Sequence, residues 1–158
     1  WRENGAPDET VRDTVATALI RSREGHVLLC QQRPGHLNAG LATPPGGFFD
    51  GRDIGPDGSI DLARAVLREI AEETGLGPAH LRQEQGFAIT VAESTISLAV
   101  PWVSDLSADE LIAHSSRHIA SDPEGELARV LALAPSEAIE TLAMPDYARA
   151  LLAAVPVL

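Results

Sequence analysis

Apolar and polar positions change period several times along the chain, and each change marks an element. Val, Thr and Ala residues over 13–20 predict a strand, and 26–32 predict its partner across the turn at 21–25. Pro34, Gly35, Asn38 and Gly40 make 33–43 a loop. Pro44-Pro45-Gly46-Gly47 can continue neither a helix nor a central strand, so a tight turn is expected there. The period then becomes helical. Leu62, Ala65, Val66 and Ile70 share one face, and Gly75 stands where a helix would end in a left-handed residue. Asp61 is the expected N-cap of this helix, with Ser59 as its rival.

Beyond the helix, 81–91 read as a strand bent at Gly86. A second, more apolar strand spans 95–103, and Pro101 places it at an edge or makes it fray. Trp102 in that strand suits the core better than a stacking role. Ser107 to Glu110 has capping-box form and opens a helix to about residue 115. His114, Arg117 and His118 are read as loop residues with a modest claim to substrate contact. Residues 127–134 form a late strand that stops before Pro135. Two helices are expected at 136–143 and 145–154, with Leu142, Tyr147, Leu151, Leu152 and Val155 covering a sheet. Residues 1–12 are a polar lead-in and 13–158 a single domain. This succession gives an α/β or α+β class.

Composition narrows the partners. The formal net charge is −11 and every basic residue is arginine. Such a surface argues against nucleic acid and against an anionic membrane. The lone Cys30 sits in an apolar run, allows no internal disulfide and reads as core. With no long apolar run and no visible signal peptide, a cytoplasmic protein is expected. The chain opens at Trp1 rather than Met, so its native start is left open.

The candidate chemistry lies on the predicted helix. Glu69, Glu72 and Glu73 fall at i, i+3 and i+4 and share a face. Three adjacent anions repel unless something positive sits among them, and hard divalent cations take oxygen ligands. A merely solvated acidic face is the plain alternative.

The run Arg68-Glu69-Ile70-Ala71-Glu72-Glu73-Thr74-Gly75-Leu76, with Gly46-Gly47 upstream, resembles the Nudix box. That signature belongs to hydrolases of nucleoside diphosphates linked to another moiety. The match is strongest over 43–76. The family pattern has five residues between its glycine and a first glutamate, then seven before the Arg-Glu pair. Counting back from Arg68 puts Ile60 at that glutamate, and the loop from Gly47 is seven residues too long. Asp50, Asp53, Asp57 and Asp61 lie nearby.

The resemblance implies an α/β/α sandwich with a mixed central sheet. It implies Mg2+ or Mn2+ held by Glu69, Glu72, Glu73 and the Gly47 carbonyl. It implies a general base at Glu69 or Glu126, the latter just before the late strand with Glu124 as second choice. Arg68 would orient the acids or the Gly-Gly loop, and Arg33 is a candidate phosphate contact. The expected activity is hydrolysis of a diphosphate linkage in a nucleotide-type small molecule such as a UDP-sugar, ADP-ribose or a coenzyme A compound. The alternative is a catalytically silent domain that binds a nucleotide, supported by the altered first glutamate. Nudix proteins are often dimers, so a homodimer is also implied.

Overall fold

The computed structural model describes residues 12–92, 94–135 and 139–154. Its centre is one mixed sheet of eight strands. Strand β1 (Asp13–Arg21) runs parallel to β7 (Thr95–Val103) along its whole length. On its other side β1 meets β2 (Val27–Gln32) only at Arg21 and Val27, across the predicted hairpin turn. The two strands then part. Strand β3 (Ala42–Thr43) pairs with β2, and β4 (Gly46–Phe48) pairs with β1 inside the opening. Strand β8 (Leu127–Leu133) covers the far side of β2.

Alternation along β1 sorts its side chains between two cores. Ala16, Ala18 and Ile20 face helices α1 (Leu62–Thr74) and α2 (Ala108–Ser121). Leu19 joins Leu29, Leu133 and Leu152 on the opposite face, where α3 (Asp146–Ala154) packs. Cys30 and Trp102 are buried in the α1/α2 core, as expected. Helix α1 buries Ala65, Val66 and Ile70. Each large apolar side chain of that face contributes about 1.5–3 kcal/mol.

Several elements differ from the sequence reading. Gly46-Gly47 belongs to a short strand rather than a turn, because β1 and β2 diverge and leave β1 an open edge there. Pro101 lies well inside the sheet. Its carbonyl accepts from the Glu84 amide, so its missing N–H faces the gap between β5 (Arg82–Gln83) and β6 (Ala88–Val91). No ladder partner is lost there. The predicted strand 81–91 is accordingly two short strands broken at Gly86. Helix α2 runs on to Ser121, so His114 and His118 are helical rather than loop residues. The helix expected at 136–143 is, where described, a 3-10 turn at Ile139–Thr141. Val155 and lead-in residues 1–11 lie outside the described residues. Among the described residues no helix is long and apolar enough to cross a membrane.

Helix α1 is held at both ends. Asp61 is its N-cap, accepting from the Arg64 amide at 3.1 Å, while Ser59 bonds Asp57 instead. Gly75 ends it with φ +70°, and a Cβ there would stand 2.7 Å from the His118 ring. Gly75→Ala is therefore expected to destabilise by at least about 1–2 kcal/mol from backbone strain alone. Urea denaturation of the variant measures it.

Candidate active site

Helix α1 presents Glu69, Glu72 and Glu73 beside β4, and Arg68 organises them. Its Nε and Nη2 donate to Asp53 Oδ1 at 3.2 Å and Oδ2 at 2.8 Å. Its Nη1 donates to Glu69 Oε1 at 2.6 Å and to Glu72 Oε2 at 3.1 Å. Asp53 is 2% exposed and closes a 3-10 turn (Gly51–Asp53), its Oδ2 also accepting from the Asp50 amide at 2.9 Å. The Arg68 guanidinium holds the Asp53 carboxyl below its usual range, against the opposing effect of burial.

This arrangement shows where the loop is extended. Counting back from Arg68 reaches Ile60, but counting five residues forward from Gly47 reaches Asp53. Only Asp53 meets the arginine; Ile60 is half exposed and pairs with Ile54 as an isolated antiparallel bridge. The Gly55 amide donates to the Ser59 carbonyl inside that bridge. The seven extra residues are thus 54–60, a closed excursion set after the acid and before the helix. At the place reached by counting from Gly47 stands a shorter acid, its carboxylate on the Arg68 guanidinium. Asp57 and Asp61 serve local turns and caps, and Asp50 caps the 3-10 turn while gripping Arg52.

The two glycines bring backbone against the acids. The Gly46 amide donates to Glu73 Oε2 at 2.9 Å. A Cβ on Gly47 would lie 2.5 Å from Glu69 Oε2, and one on Gly46 would strike the Ala16 carbonyl. A side chain at 46 would push β4 off β1, and one at 47 would displace the Glu69 carboxylate. Part of the Glu73 side chain reaches the surface, but its carboxyl group is deeply set. Burial pushes it up to about 8; the Gly46 amide opposes this, and Glu69, Glu126 and Glu72 add to it. Burial also raises Glu69, against the pull of Arg68.

These groups line one cleft of about 1000 Å3. Glu126 faces the same cleft from the start of β8, accepting from Gln32 Nε2 at 3.2 Å with His36 Nδ1 at 3.9 Å. Phe48, Val15, Thr95 and Tyr147 add apolar wall. Glu124 does not line the cleft. Neither does Arg33: its guanidinium donates to the carbonyls of Pro123 and Asp122, and its amide to that of Glu126. Arg33 thus anchors the loop that carries Glu126, which displaces its expected phosphate role. His118 lines the cleft and donates from Nε2 to the Glu72 carbonyl at 2.9 Å, and His114 does the same for Gly75 at 3.0 Å. The two histidines pin α2 to the last turn of α1.

The donor set is all oxygen, which suits a hard divalent cation. A carboxyl group pushed to about 8 by burial and by neighbouring acids marks a place short of positive charge. Among the described residues, no three acidic, histidine or cysteine side chains converge closely enough as they stand to grip an ion. Glu72 explains part of this, since both its oxygens are taken by arginines, Oε2 by Arg68 and Oε1 by Arg52 at 3.0 Å.

Two outcomes are expected. Asp53→Ala removes the buried partner of Arg68 but leaves Glu69 and Glu72 on it, and should cost about 1.5–3 kcal/mol in urea denaturation. The second concerns pH. Glu73 binds its proton more tightly folded than unfolded, so its contribution is intact below about pH 4.5. It is lost progressively as pH rises to about 8. The acids with lowered values, Glu24, Asp50, Asp53, Asp57 and Glu110, act below that window. Glu69, also raised by burial, adds to the loss in the same direction, so the melting temperature of metal-free protein should fall between about pH 5 and pH 8, and Glu73→Gln should remove part of the fall that extends to pH 8.

Comparison with known proteins places this geometry. The NUDIX domain family matches residues 11–149. A sequence search of curated proteins finds no match. Among solved structures, the Nudix hydrolase RenU from M. smegmatis is 18% identical, with 93% of this chain and 89% of that chain covered at a TM-score of 0.66. A bifunctional NMN adenylyltransferase/ADP ribose pyrophosphatase from Francisella tularensis, complexed with AMP and a Mn ion, is 18% identical at a TM-score of 0.60, covering 96% of this chain and 43% of that one. The NUDIX domain of Shewanella oneidensis NrtR, complexed with ADP ribose, is 22% identical at a TM-score of 0.53, covering 91% of this chain and 84% of that one. The sheet between helices is the α/β/α sandwich of these neighbours. The chain belongs to the NUDIX domain family.

Proposed function

We propose that this protein hydrolyses the diphosphate linkage of a nucleoside diphosphate joined to a second moiety, with Mg2+ or Mn2+ as cofactor. The observation that carries the reading is the deep Glu73 carboxyl group, set beside Glu69 and Glu126 in a cleft large enough for a nucleotide. Glu69, Glu72, Glu73 and the Gly47 carbonyl would hold the ion. Bound there, it supplies neutralisation of the diphosphate oxygens and acidifies water. Arg68 fixes the directions of the Glu69 and Glu72 carboxylates, while Glu72 would have to give up an arginine to meet the ion. Glu126 is the proposed base, since its close hydrogen-bond donor is the neutral Gln32 amide, whereas Glu69 Oε1 is engaged by Arg68. A proton lost by the attacking water would pass to a Glu126 carboxylate oxygen. The apolar wall around Phe48 and Tyr147 offers a face for the nucleoside.

ADP-ribose is the first substrate to test, because one structural neighbour is complexed with ADP ribose and another is an ADP ribose pyrophosphatase. UDP-sugars and coenzyme A follow. The case for a silent domain rested on the altered first glutamate, and Asp53 on Arg68 weakens it. A net charge of −11 fits a small-molecule substrate rather than nucleic acid. A cytoplasmic setting suits the single buried thiol.

The test is a mass-spectrometric screen of nucleoside diphosphate derivatives with and without Mg2+ or Mn2+. One class should yield two phosphorylated products only when the ion is present. Glu73→Gln should lower kcat by about a hundredfold or more, the size expected when a positioned charge is lost. Turnover within a few-fold of the parent protein would remove Glu73 from the metal set.

A further inference from the structure

Arg52 is the cleft's exposed cation, and nothing in the mechanism above uses it. Its side chain is 63% exposed and lines the cleft. Two of its nitrogens are held by Asp50 Oδ2, Nε at 2.8 Å and Nη2 at 2.6 Å. The third, Nη1, crosses to Glu72 Oε1 at 3.0 Å. Its backbone is fixed as well, the amide donating to Asp50 Oδ1 at 2.7 Å and the carbonyl accepting from Arg64 Nη2 at 2.8 Å. The guanidinium is therefore aimed from one side by a carboxylate outside the helix and tethered on the other to a proposed metal ligand.

Two arginines share Glu72, and they differ in freedom. Arg68 is 17% exposed and committed to buried Asp53 through two nitrogens. Arg52 is held by half-exposed groups and can let go at small cost. A divalent cation at Glu72 would repel the Nη1 end of Arg52 across a few ångströms. The Asp50 grip would survive this, leaving Nη1 facing the cleft with no acceptor. An oxygen of the bound diphosphate is the acceptor that the cleft would then supply.

We propose that Arg52 is a phosphate-binding residue of the substrate site, kept on Glu72 as a counterion until the cation arrives. The proposal rests on the hydrolase reading above. In the empty site Arg52 limits the repulsion among the helix acids. In the loaded site it contributes one charge-assisted hydrogen bond to a phosphoryl oxygen. It therefore opposes the metal and favours the substrate, and these two effects have opposite signs on mutation.

The experiment compares the wild-type protein with Arg52→Ala and Arg52→Lys. Alanine keeps the backbone amide that Asp50 caps, so the 3-10 turn is preserved, and thermal melting checks this. Mn2+ binding to substrate-free protein is followed by calorimetry. Arg52→Ala should bind Mn2+ about two- to fivefold more tightly, the scale of an exposed ion pair. Binding of methylenediphosphonate, a non-hydrolysable P–C–P probe, is then measured at saturating Mn2+. It should weaken about tenfold or more in Arg52→Ala and less in Arg52→Lys. A merely structural arginine would weaken both together, and that result overturns the proposal. So does a probe affinity within about twofold of wild type. A wild-type protein that binds neither Mn2+ nor the probe overturns the hydrolase reading along with this one.

Discussion

One guanidinium orders the whole site. Arg68 lies nearly out of solvent and meets three carboxylates, those of Asp53, Glu69 and Glu72. Burying a charge costs several kcal/mol unless its partners are close and well aimed, so such a cluster is a demanding way to gain stability. Its return here is geometric. Asp53 arrives from the 3-10 turn after β4, and the glutamates from α1. The arginine fastens the two elements together and fixes the directions of two acids. Without Asp53, Arg68 would have only the helix acids to satisfy it, and those would cease to be available for anything else.

The glycine strand completes the constraint from the other side. Because β4 has no side chains at 46 and 47, its backbone can lie against Glu73 and Glu69, with the Gly46 amide bonded to Glu73. An amide satisfies one oxygen of Glu73 without bringing a full charge. The carboxyl group is left buried, near other acids and only partly compensated, and its affinity for a proton rises accordingly. A proton and a divalent cation are alternative answers to the same deficit. The fold supplies the deficit through a strand that can come so close only because the hairpin partner of β1 has turned away.

Much of this was legible in the chain, and the failures have specific causes. Helix α1, its Asp61 cap and its Gly75 end follow from local chemistry, as do β1, β2, β7 and β8 from apolar runs. Pro101 misled because edge or interior is decided by the neighbouring strands, and its N–H side happens to face a gap. The histidines of α2 misled because a polar helix end looks like a loop until its carbonyl partners on α1 are known. Asp53 was hidden by a choice of origin. An insertion shifts register, and counting from the helix alone carried the shift into the acid's position. Counting from Gly47 would have found it, since the insertion follows the acid. Arg33 shows the opposite limit. Its position after a strand suggested a ligand, but only coordinates could reveal the carbonyls of 122 and 123 within its reach.

The chain's acidity then has to be reconciled with the anionic substrate proposed for it. At physiological salt the Debye length is about 8 Å, so exposed carboxylates across the molecule are largely screened at the cleft. What governs the site is its own charge. Glu69, Glu72, Glu73 and Glu126 stand there against Arg68 and Arg52, with Asp53 and Asp50 already set against those two arginines. The balance is negative, so protein charge alone would disfavour the proposed diphosphate substrate. A divalent cation reverses the balance where it sits. By taking over Glu72 it would also return an arginine to the substrate side. Under the proposed function, the acids that disfavour a bare anion would make its entry conditional on the ion, and the arginine proposed to be released stands just before Asp53, which holds Arg68.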